Sequence, residues 1–204
     1  MTAARYPVPA RVHRVEEVVR RSRFVTTLAH APDAAAAHAF VDRIRSEHPD
    51  ATHHCWAFVA GPPGSTRAVG MSDAGEPAGT AGRPMLTTLL HGGVGEVVAV
   101  TSRWYGGVKL GTGGLGRAYA SGVKLALGSL PTEVRVRRVP ARVVVGYAAV
   151  DGLQHLLGEL EGRIDEEAYG AEVRYLVSVP EECLPALEEG VARLTAGEGR
   201  VTPP

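Results

Sequence analysis

The sequence predicts an α+β protein of two domains, and three observations support this class. Strand and helix patterns are mixed over residues 1–130, a stretch rich in proline and arginine follows at residues 131–140, and the remaining chain runs in the order βαββαβ. We therefore predict a first domain at residues 1–130 and a second at residues 131–204. The length of 204 residues and the hydrophobic content of 45% suffice for a buried core.

The first domain contains runs of alternating or wholly apolar residues, which are typical of β-strands. We predict strands at residues 12–19, 24–28, 52–59, 67–71 and 94–104. Other stretches have the apolar spacing of helices, and Asp33 and Thr80 stand where side chains cap the first two. We predict these helices at residues 33–48, 80–90 and 115–130.

The second domain begins at residues 131–140, where two prolines and three arginines indicate a linker. Strands are predicted beyond it at residues 143–147, 163–168, 171–179 and 200–202. Asp151 caps one predicted helix and Pro180 opens another. The resulting order, βαββαβ, is that of a ferredoxin-like domain.

The formal net charge of zero hides a division between the two predicted domains. Residues 1–130 hold 14 Lys and Arg against 9 Asp and Glu, whereas residues 131–204 hold 8 against 13. Seven of the eight histidines also lie in the first domain. We therefore expect a polyanionic partner to bind the first domain.

The cysteines and the lack of long apolar runs indicate the cellular location of the protein. Cys55 and Cys183 lie far apart, and neither belongs to an array with the spacing of metal ligands. No apolar run approaches the roughly 20 residues that cross a bilayer, and the N-terminus lacks the apolar core of a secretory signal. We predict a cytoplasmic protein without a membrane partner, a metal or another cofactor.

Residues 103–119 form the most informative segment, with six glycines among cationic and aromatic side chains. Glycine leaves backbone N–H groups uncovered, and such donors ahead of a helix bind anions. Four side chains are predicted to contact phosphate or stack on bases: Arg103, Tyr105, Lys109 and Arg117. Five glycine N–H groups are predicted to line the anion site: Gly106, Gly107, Gly111, Gly113 and Gly114. The alternative is a glycine turn that serves backbone geometry alone.

Residues 111–116 also fit the pattern GxGxxG of dinucleotide-binding folds. The context differs, because six residues separate the pattern from the preceding strand and the unit ends its domain instead of opening it. We therefore disfavour a nucleotide cofactor. The chain also lacks the GxxxxGK[ST] sequence of nucleotide hydrolases with a phosphate-binding loop.

Residues 72–84 form a second dense segment, in which Asp73 and Glu76 precede a helix. Two such acids could bind a cation, or act as base and acid with His54. The favoured alternative is that both acids bond to loop amides while Thr80 caps the helix. On the nearby strand His53 and Cys55 share one face, which gives too few ligands for a zinc site.

Two short basic clusters, residues 20–23 and 135–138, complete the candidate surface. Each alone is typical of a solvated surface. Together with the glycine segment, they would form one basic face, through which a protein without net charge can bind RNA.

Three separated segments resemble the bacterial YigZ branch of the IMPACT family. They are His53-His54-Cys55, residues 72–82 and residues 103–115, and they occur in the same order. Gly116 departs from the family pattern, where we expect a β-branched residue. The resemblance covers most of the first domain.

The resemblance implies a first domain like the second domain of ribosomal protein S5 and a second domain like the last domain of elongation factor G. It also implies a direction for function, because eukaryotic relatives regulate translation by binding a partner of an initiation-controlling kinase. Those relatives lack the C-terminal domain, and the kinase pathway is therefore not expected to apply here.

We predict a non-enzymatic, translation-associated regulator that binds RNA, the ribosome or a translation factor through the basic glycine-rich face. The alternative is a hydrolase of a phosphorylated or peptide-like substrate, in which His54, Asp73 and Glu76 supply acid–base chemistry. Convergence of those three side chains in one pocket distinguishes the two hypotheses.

Overall fold

A computed structural model describes residues 5–204 and divides the chain into two compact units, Met1–Arg135 and Val136–Pro204. Both units combine helices with antiparallel sheets, and the predicted α+β class is confirmed. The predicted domain boundary after residue 130 lies a few residues before this division. No helix within residues 5–204 is both long and apolar enough to cross a membrane.

The first unit is built on a five-stranded antiparallel sheet with the order β2-β3-β6-β4-β5, and β1 pairs with β7 in a separate ribbon. The strands are β1 (Arg5–Pro9), β2 (His13–Val19), β3 (Ser22–His30), β4 (His53–Val59), β5 (Val69–Ser72), β6 (Val97–Trp104) and β7 (Thr132–Val136). The helices are α1 (Ala34–Glu47), α2 (Gly82–His91) and α3 (Thr112–Gly128).

Strand β6 is the centre of this unit because both of its faces are covered. Val97 and Ala99 pack in the core under α2 and α3, whereas Val98 and Val100 pack in the core under α1. A strand buried on both faces is apolar without alternation, which is the pattern that predicted it. Its last residues carry the glycine segment out of the core.

The helix boundaries show where local sequence signals succeed and fail. Asp33 caps α1 as predicted, and its carboxylate accepts a hydrogen bond from the Ala36 N–H at 2.7 Å. Helix α3 begins at Thr112, earlier than the predicted residue 115, because Gly111 adopts a φ of 75° and serves as its N-cap. The predicted loop glycines 113 and 114 therefore belong to the first turn of α3.

The predicted linker at residues 131–140 contains the division between the two units, but its residues lie largely in two strands and not in a loop. Strand β7 occupies Thr132–Val136, and β8 begins at Arg138. Pro140 pairs with Ser178 of β10, but β11 pairs only with residues 142–144, so β8 is an edge strand at Pro140, a position at which proline is tolerated.

The second unit has the predicted element order βαββαβ. Its elements are β8 (Arg138–Val145), α4 (Val150–Glu159), β9 (Arg163–Tyr169), β10 (Val173–Pro180), α5 (Leu184–Leu194) and β11 (Arg200–Thr202). The sheet order is β11-β8-β10-β9, and all pairs are antiparallel. Leu153 and Leu157 of α4 and Leu187 and Val191 of α5 are buried in one core with the sheet. The helices thus cover one sheet face.

A buried carboxylate ties the β1–β7 ribbon to the main sheet. Glu96 has a φ of 46° and accepts a hydrogen bond from the Tyr6 hydroxyl at 2.7 Å. Its other oxygen lies 2.6 Å from Nε2 of His30, and Arg135 lies 3.3 Å away. Burial opposes ionisation, but the hydrogen bonds from His30 and Tyr6 and the charge of Arg135 outweigh it and lower the pKa of Glu96.

We predict that Glu96→Gln lowers the free energy of unfolding above pH 5 and makes that free energy depend less on pH in acid. Because the folded pKa of Glu96 is depressed, its ionised form adds stability that is present above the unfolded pKa of about 4.3 and lost as pH falls through the folded pKa. Urea unfolding at several pH values should show a loss of about 1–3 kcal/mol at pH 7 that shrinks in acid. Glu133→Gln, at an exposed position of β7, is the control. Parallel pH profiles for wild type and Glu96→Gln would contradict the assignment.

Candidate functional site

The loop between β5 and α2 is organised by Asp73. Its carboxylate accepts hydrogen bonds from the N–H groups of Gly79 at 2.8 Å and of Ala81 and Gly82 at 2.9 Å. Burial opposes ionisation of Asp73, but these three donors outweigh it and lower the pKa. Asp73 therefore satisfies the first N–H groups at the start of α2. The prediction that Thr80 caps this helix is wrong, because the Thr80 hydroxyl donates to the Pro77 carbonyl instead.

Glu76 makes different contacts from Asp73. It is buried and accepts hydrogen bonds from Nη1 of Arg103 at 2.6 Å and from the Tyr119 hydroxyl at 2.7 Å. The prediction that Glu76 bonds to loop amides therefore does not describe its side chain. Arg103 is only 5% exposed, and its Nη2 donates to the Ser22 hydroxyl at 3.2 Å. We call Ser22, Glu76, Arg103 and Tyr119 the buried network.

Apolar surroundings enclose this network. Tyr119 packs edge-on against Phe24 with ring centroids 5.3 Å apart, and the Arg103 guanidinium lies over the same Phe24 ring. Burial, followed by the neighbouring Cys55 and Glu76, raises the pKa of Tyr119. The tyrosine therefore stays protonated and donates to Glu76. A buried ion pair needs such additional hydrogen bonds to offset the cost of removing two charges from water.

The nearby cysteine and histidine also make structural contacts. The Cys55 thiol donates to the Asp73 carbonyl at 2.9 Å, and burial raises the pKa of Cys55 to about 12. A protonated buried thiol is a poor nucleophile. Nδ1 of His53 lies 2.9 Å from the Ala74 carbonyl, to which it donates. Both side chains thus fasten the loop after β5 to strand β4.

His54 lies on the other face of the sheet from the two acids. Alternation along β4 directs Cys55 into the core under α2 and α3, whereas Trp56 packs with α1. Nδ1 of His54 lies 2.9 Å from the Ser102 hydroxyl, and burial, with the charge of Arg45, lowers the pKa of His54. The structure therefore does not bring His54 together with Asp73 and Glu76, and it gives no support for the predicted acid–base group. Among residues 5–204, no cluster of three or more His, Cys, Asp or Glu is arranged to hold a metal ion.

The glycine segment leaves the core after Trp104. Tyr105 is 47% exposed, and Gly107 and Gly111 have φ values of 83° and 75° and exposed backbones. These two positions require glycine because other residues rarely adopt such angles. Lys109 is exposed between them. Leu110 turns back into the core and holds the middle of the segment against the protein.

The start of helix α3 presents free donors. The first bond of the helix runs from the Leu115 N–H to the Gly111 carbonyl, so the N–H groups of residues 112–114 precede the intrahelical ladder. No side chain among the described residues caps this end. Gly113 and Gly114 keep these donors uncovered, and Arg117 is exposed one turn later.

Two arginines form the turn between β2 and β3, which sequence reasoning treated only as a basic cluster. Val19 pairs with Ser22, and Arg20 and Arg21 between them have φ values of 46° and 67°. Positive φ at both central residues is the geometry of type I′ turns, which favour Asn-Gly. A Cβ on Gly106 would lie 1.9 Å from the Arg21 carbonyl oxygen, so the glycine segment packs directly on this turn.

The turn and the glycine segment share one cleft of about 240 Å³. Arg20 and Arg117 line it together with Gly114, and the Ser121 hydroxyl donates to Glu17 on its wall. We call residues 105–114, Arg117 and the Arg20–Arg21 turn the glycine-loop face. Arg103 lies beneath this face and is not part of its exposed surface. The cluster at residues 135–138 is engaged elsewhere: Arg135 with Glu96, Arg137 with Glu181, and Arg138 with backbone carbonyls.

Comparisons with known proteins follow the same division of the chain. The family model of the Impact N-terminal domain matches residues 20–127, and a domain of unknown function, DUF1949, matches residues 143–198. The chain is 47% identical to the IMPACT family member YigZ of Escherichia coli K12 over 173 residues, which cover 85% of each protein.

Other relatives extend the similarity over nearly the whole chain. An IMPACT family member of Haemophilus influenzae is 39% identical over 194 residues, covering 95% of this chain and 94% of that protein. The Bacillus subtilis IMPACT family member YvyE is 32% identical over 186 residues, covering 91% of this chain and 85% of that protein. A crystal structure of a hypothetical protein, 41% identical, matches with a TM-score of 0.75 and covers 99% of this chain and 98% of its own.

We predict that Glu76→Gln destabilises the protein by about 3 kcal/mol, because it leaves the buried Arg103 cation without its counter-charge. Urea unfolding at pH 7 measures the effect. Asp42→Asn, which removes the same charge from an exposed pair with Arg45, is the matched control and should cost less than about 1 kcal/mol. Equal losses for the two variants would contradict a structural role for Glu76.

Proposed function

Because the chain belongs to the IMPACT family, as its three sequence segments predicted, we propose that it is a non-enzymatic regulator that binds RNA, free or within the ribosome. Family membership supports a translation-associated regulatory role in general. The proposed contact surface is the glycine-loop face.

One observation carries the proposal: exposed cations come from two segments that pack on each other beside the uncovered start of a helix, and Arg20 and Arg117 line one cleft there. Arg20 and Arg21 come from the β2–β3 turn, and Lys109 and Arg117 come from the glycine segment. Cations and free N–H groups recognise phosphate without reading sequence. Exposed Tyr105 at the rim adds an aromatic ring on which an unpaired base stacks.

The shape and chemistry of this face favour a polyanion over a small substrate. The cleft of about 240 Å³ is smaller than typical small-molecule pockets and opens onto an exposed surface. Glu17, the acid that lines the cleft, accepts a hydrogen bond from the Ser121 hydroxyl. Asp73 and Glu76, the two acids considered for catalysis, are occupied by three amides and by Arg103 and Tyr119. No acid–base pair therefore supports turnover at this face.

The buried network gives this face its fixed shape. The Ser22 hydroxyl, which receives Nη2 of Arg103, also lies 3.3 Å from the Gly106 N–H that donates to it. Ser22 immediately follows the two-arginine turn. Arg103 thus acts as a positioning residue, joining the turn and the glycine segment from below, while the exposed cations contact RNA.

We predict salt-dependent RNA binding that weakens when exposed cations are removed. Fluorescence anisotropy with labelled single-stranded RNA, between about 50 and 200 mM salt, should give a log–log slope near −3 for about four phosphate contacts. Lys109→Ala with Arg117→Ala should reduce that slope by about 1.4 and weaken binding to all RNA sequences. Arg43→Ala with Arg45→Ala on α1, an equal charge change outside this face, should leave the slope unchanged. An RNA affinity that does not depend on salt would refute the RNA proposal. The proposal would also be refuted if the chain bound a protein factor and not RNA.

We also predict that the two-arginine turn lowers the stability of the protein but contributes to RNA binding. Arg20→Asn with Arg21→Gly supplies the residues that a type I′ turn prefers and should raise stability by about 1 kcal/mol. The same change removes two cations and should weaken RNA binding. Thermal unfolding and the anisotropy assay, made on one preparation, measure both effects. A more stable variant with unchanged RNA affinity would exclude the turn from the binding surface.

A further inference from the structure

Strand β9 is the least covered strand of the second unit. It lies at the edge of the sheet, and all seven of its residues are exposed. Among residues 5–204, the core of this unit takes buried residues from β8, β10, α4 and α5 but none from β9. Within the same residues β9 pairs with β10 and with no other strand. Its outer edge therefore presents a row of backbone N–H and C=O groups to solvent.

The two sides of β9 carry different side chains. Directly paired residues lie on the same face of a sheet. Ile164 and Tyr169 pair with core residues of β10, so they lie on the face that α4 and α5 cover, yet they are 40% and 60% exposed. Glu166 and Asp165 lie on the other face, where the Asp165 carboxylate accepts a hydrogen bond from the Ser178 hydroxyl. The edge thus has exposed apolar side chains on one side and acids on the other.

The negative charge of the second unit is concentrated at this edge. Residues 159–172, which comprise β9 and the chain on either side of it, hold six Asp and Glu against one Arg, a formal net charge of −5. Residues 136–204 hold 12 Asp and Glu against 7 Arg and no Lys, which is also −5. The rest of the unit is therefore neutral in sum, and a cationic partner is attracted to β9.

A buried hydroxyl group beside β9 lacks a hydrogen bond. Tyr175 of β10 pairs directly with Glu167, is only 2% exposed, and its hydroxyl has no partner among the described residues. The neighbouring Tyr169 hydroxyl donates to Glu167 at 3.2 Å instead. Because a buried polar group without a bond is costly, the contacts on this side of β9 are incomplete in the isolated chain.

We propose that β9 binds an extended basic segment of another protein, which adds a fifth strand to the sheet. Strand addition at an exposed sheet edge is a recurring mode of peptide recognition. Successive side chains of the added strand point to opposite sides of the sheet. Apolar side chains of the segment cover Ile164 and Tyr169 on one side, and Lys or Arg side chains face Asp165 and Glu166 on the other.

Charge selects this occupant over a second copy of the chain and over RNA. Pairing of two β9 strands would bring the three acids of one strand, residues 165–167, against those of the other, and such like-charge contacts prevent edge-to-edge association. RNA is repelled by the charge of residues 159–172. A strand that alternates basic and apolar residues meets neither obstacle.

The length of β9 predicts a short and weakly bound segment. Its seven residues, at about 3.4 Å each, give an edge of about 24 Å. The register shift opposite Leu176 and Val177 interrupts the regular ladder within that length. We therefore expect contacts with about six residues of the partner and an affinity that falls as salt screens the acids.

Fluorescence anisotropy of the full chain with a labelled octapeptide of alternating lysine and valine, at about 50 mM salt, tests the proposal. Wild type should bind this peptide and should bind an octapeptide of alternating lysine and serine, which has the same charge, at least about tenfold more weakly. Glu166→Lys with Glu167→Lys should weaken binding of the lysine–valine peptide at least about tenfold. Glu188→Lys with Glu189→Lys, an equal charge change at exposed positions of α5, is the matched control and should change it less than about twofold.

Methylation of the peptide backbone distinguishes strand addition from general charge attraction. An N-methyl group removes the N–H that a strand ladder requires and leaves the charge of the peptide unchanged. Methylation of all valines blocks one edge of the peptide strand, and methylation of all lysines blocks the other. One of these two peptides should therefore lose binding, whereas the other should bind like the parent peptide.

Three results would overturn the proposal. The lysine–valine peptide could fail to bind wild type at about 0.5 mM. The α5 control could weaken binding as much as the β9 variant does. Both methylated peptides could bind as well as the parent peptide, or both could fail to bind. Lys109→Ala with Arg117→Ala should leave peptide binding unchanged, so the outcome does not depend on the RNA proposal.

Discussion

The first unit depends on the buried ion pair between Glu76 and Arg103. Its two partners come from the loop before α2 and from the end of β6, and Tyr119 of α3 completes it. Removing two charges from water is costly, so the pair persists only where further hydrogen bonds and close packing surround it. This requirement fixes the positions of three chain segments relative to one another. Two of the segments that mark the family in sequence, residues 72–82 and 103–115, meet at this pair.

The pair also explains a division of labour among the charged residues. Three residues that look reactive in sequence already have structural partners. Asp73 accepts hydrogen bonds at the start of helix α2, and Glu76 and Arg103 pair with each other. The cations that remain exposed, Lys109 and Arg117, stand on backbone that the buried network holds in place. Strain at the two-arginine turn fits this picture, because an unfavourable conformation persists only where surrounding contacts enforce it.

Much of the fold was predictable because it follows from local pattern. The apolar run of β6, the Asp33 cap of α1 and the βαββαβ order of the second unit were all read correctly from sequence. The burial of Arg103 was not predictable, because a cation at a strand end is usually solvated and its partner Glu76 lies 27 positions away. The tight turn at Arg20 was missed for a related reason: its sequence lacks the glycine or asparagine that signals such a turn. Contacts between residues that are distant in sequence determine both the burial of Arg103 and the turn at Arg20.

The charge that a partner meets on this protein therefore depends on the individual surface and not on the net charge of the domain. Period-two alternation carries Arg142, Arg174 and Arg200, which are distant in sequence, onto one face of a unit whose net charge is negative. In the first unit burial removes a charge from the surface. Arg103 adds to the net positive charge of the unit, but it is buried and adds almost nothing to the charge of the exposed surface. A sum over residues counts both kinds of charge equally, whereas a partner meets only the charges that strand register and burial leave exposed.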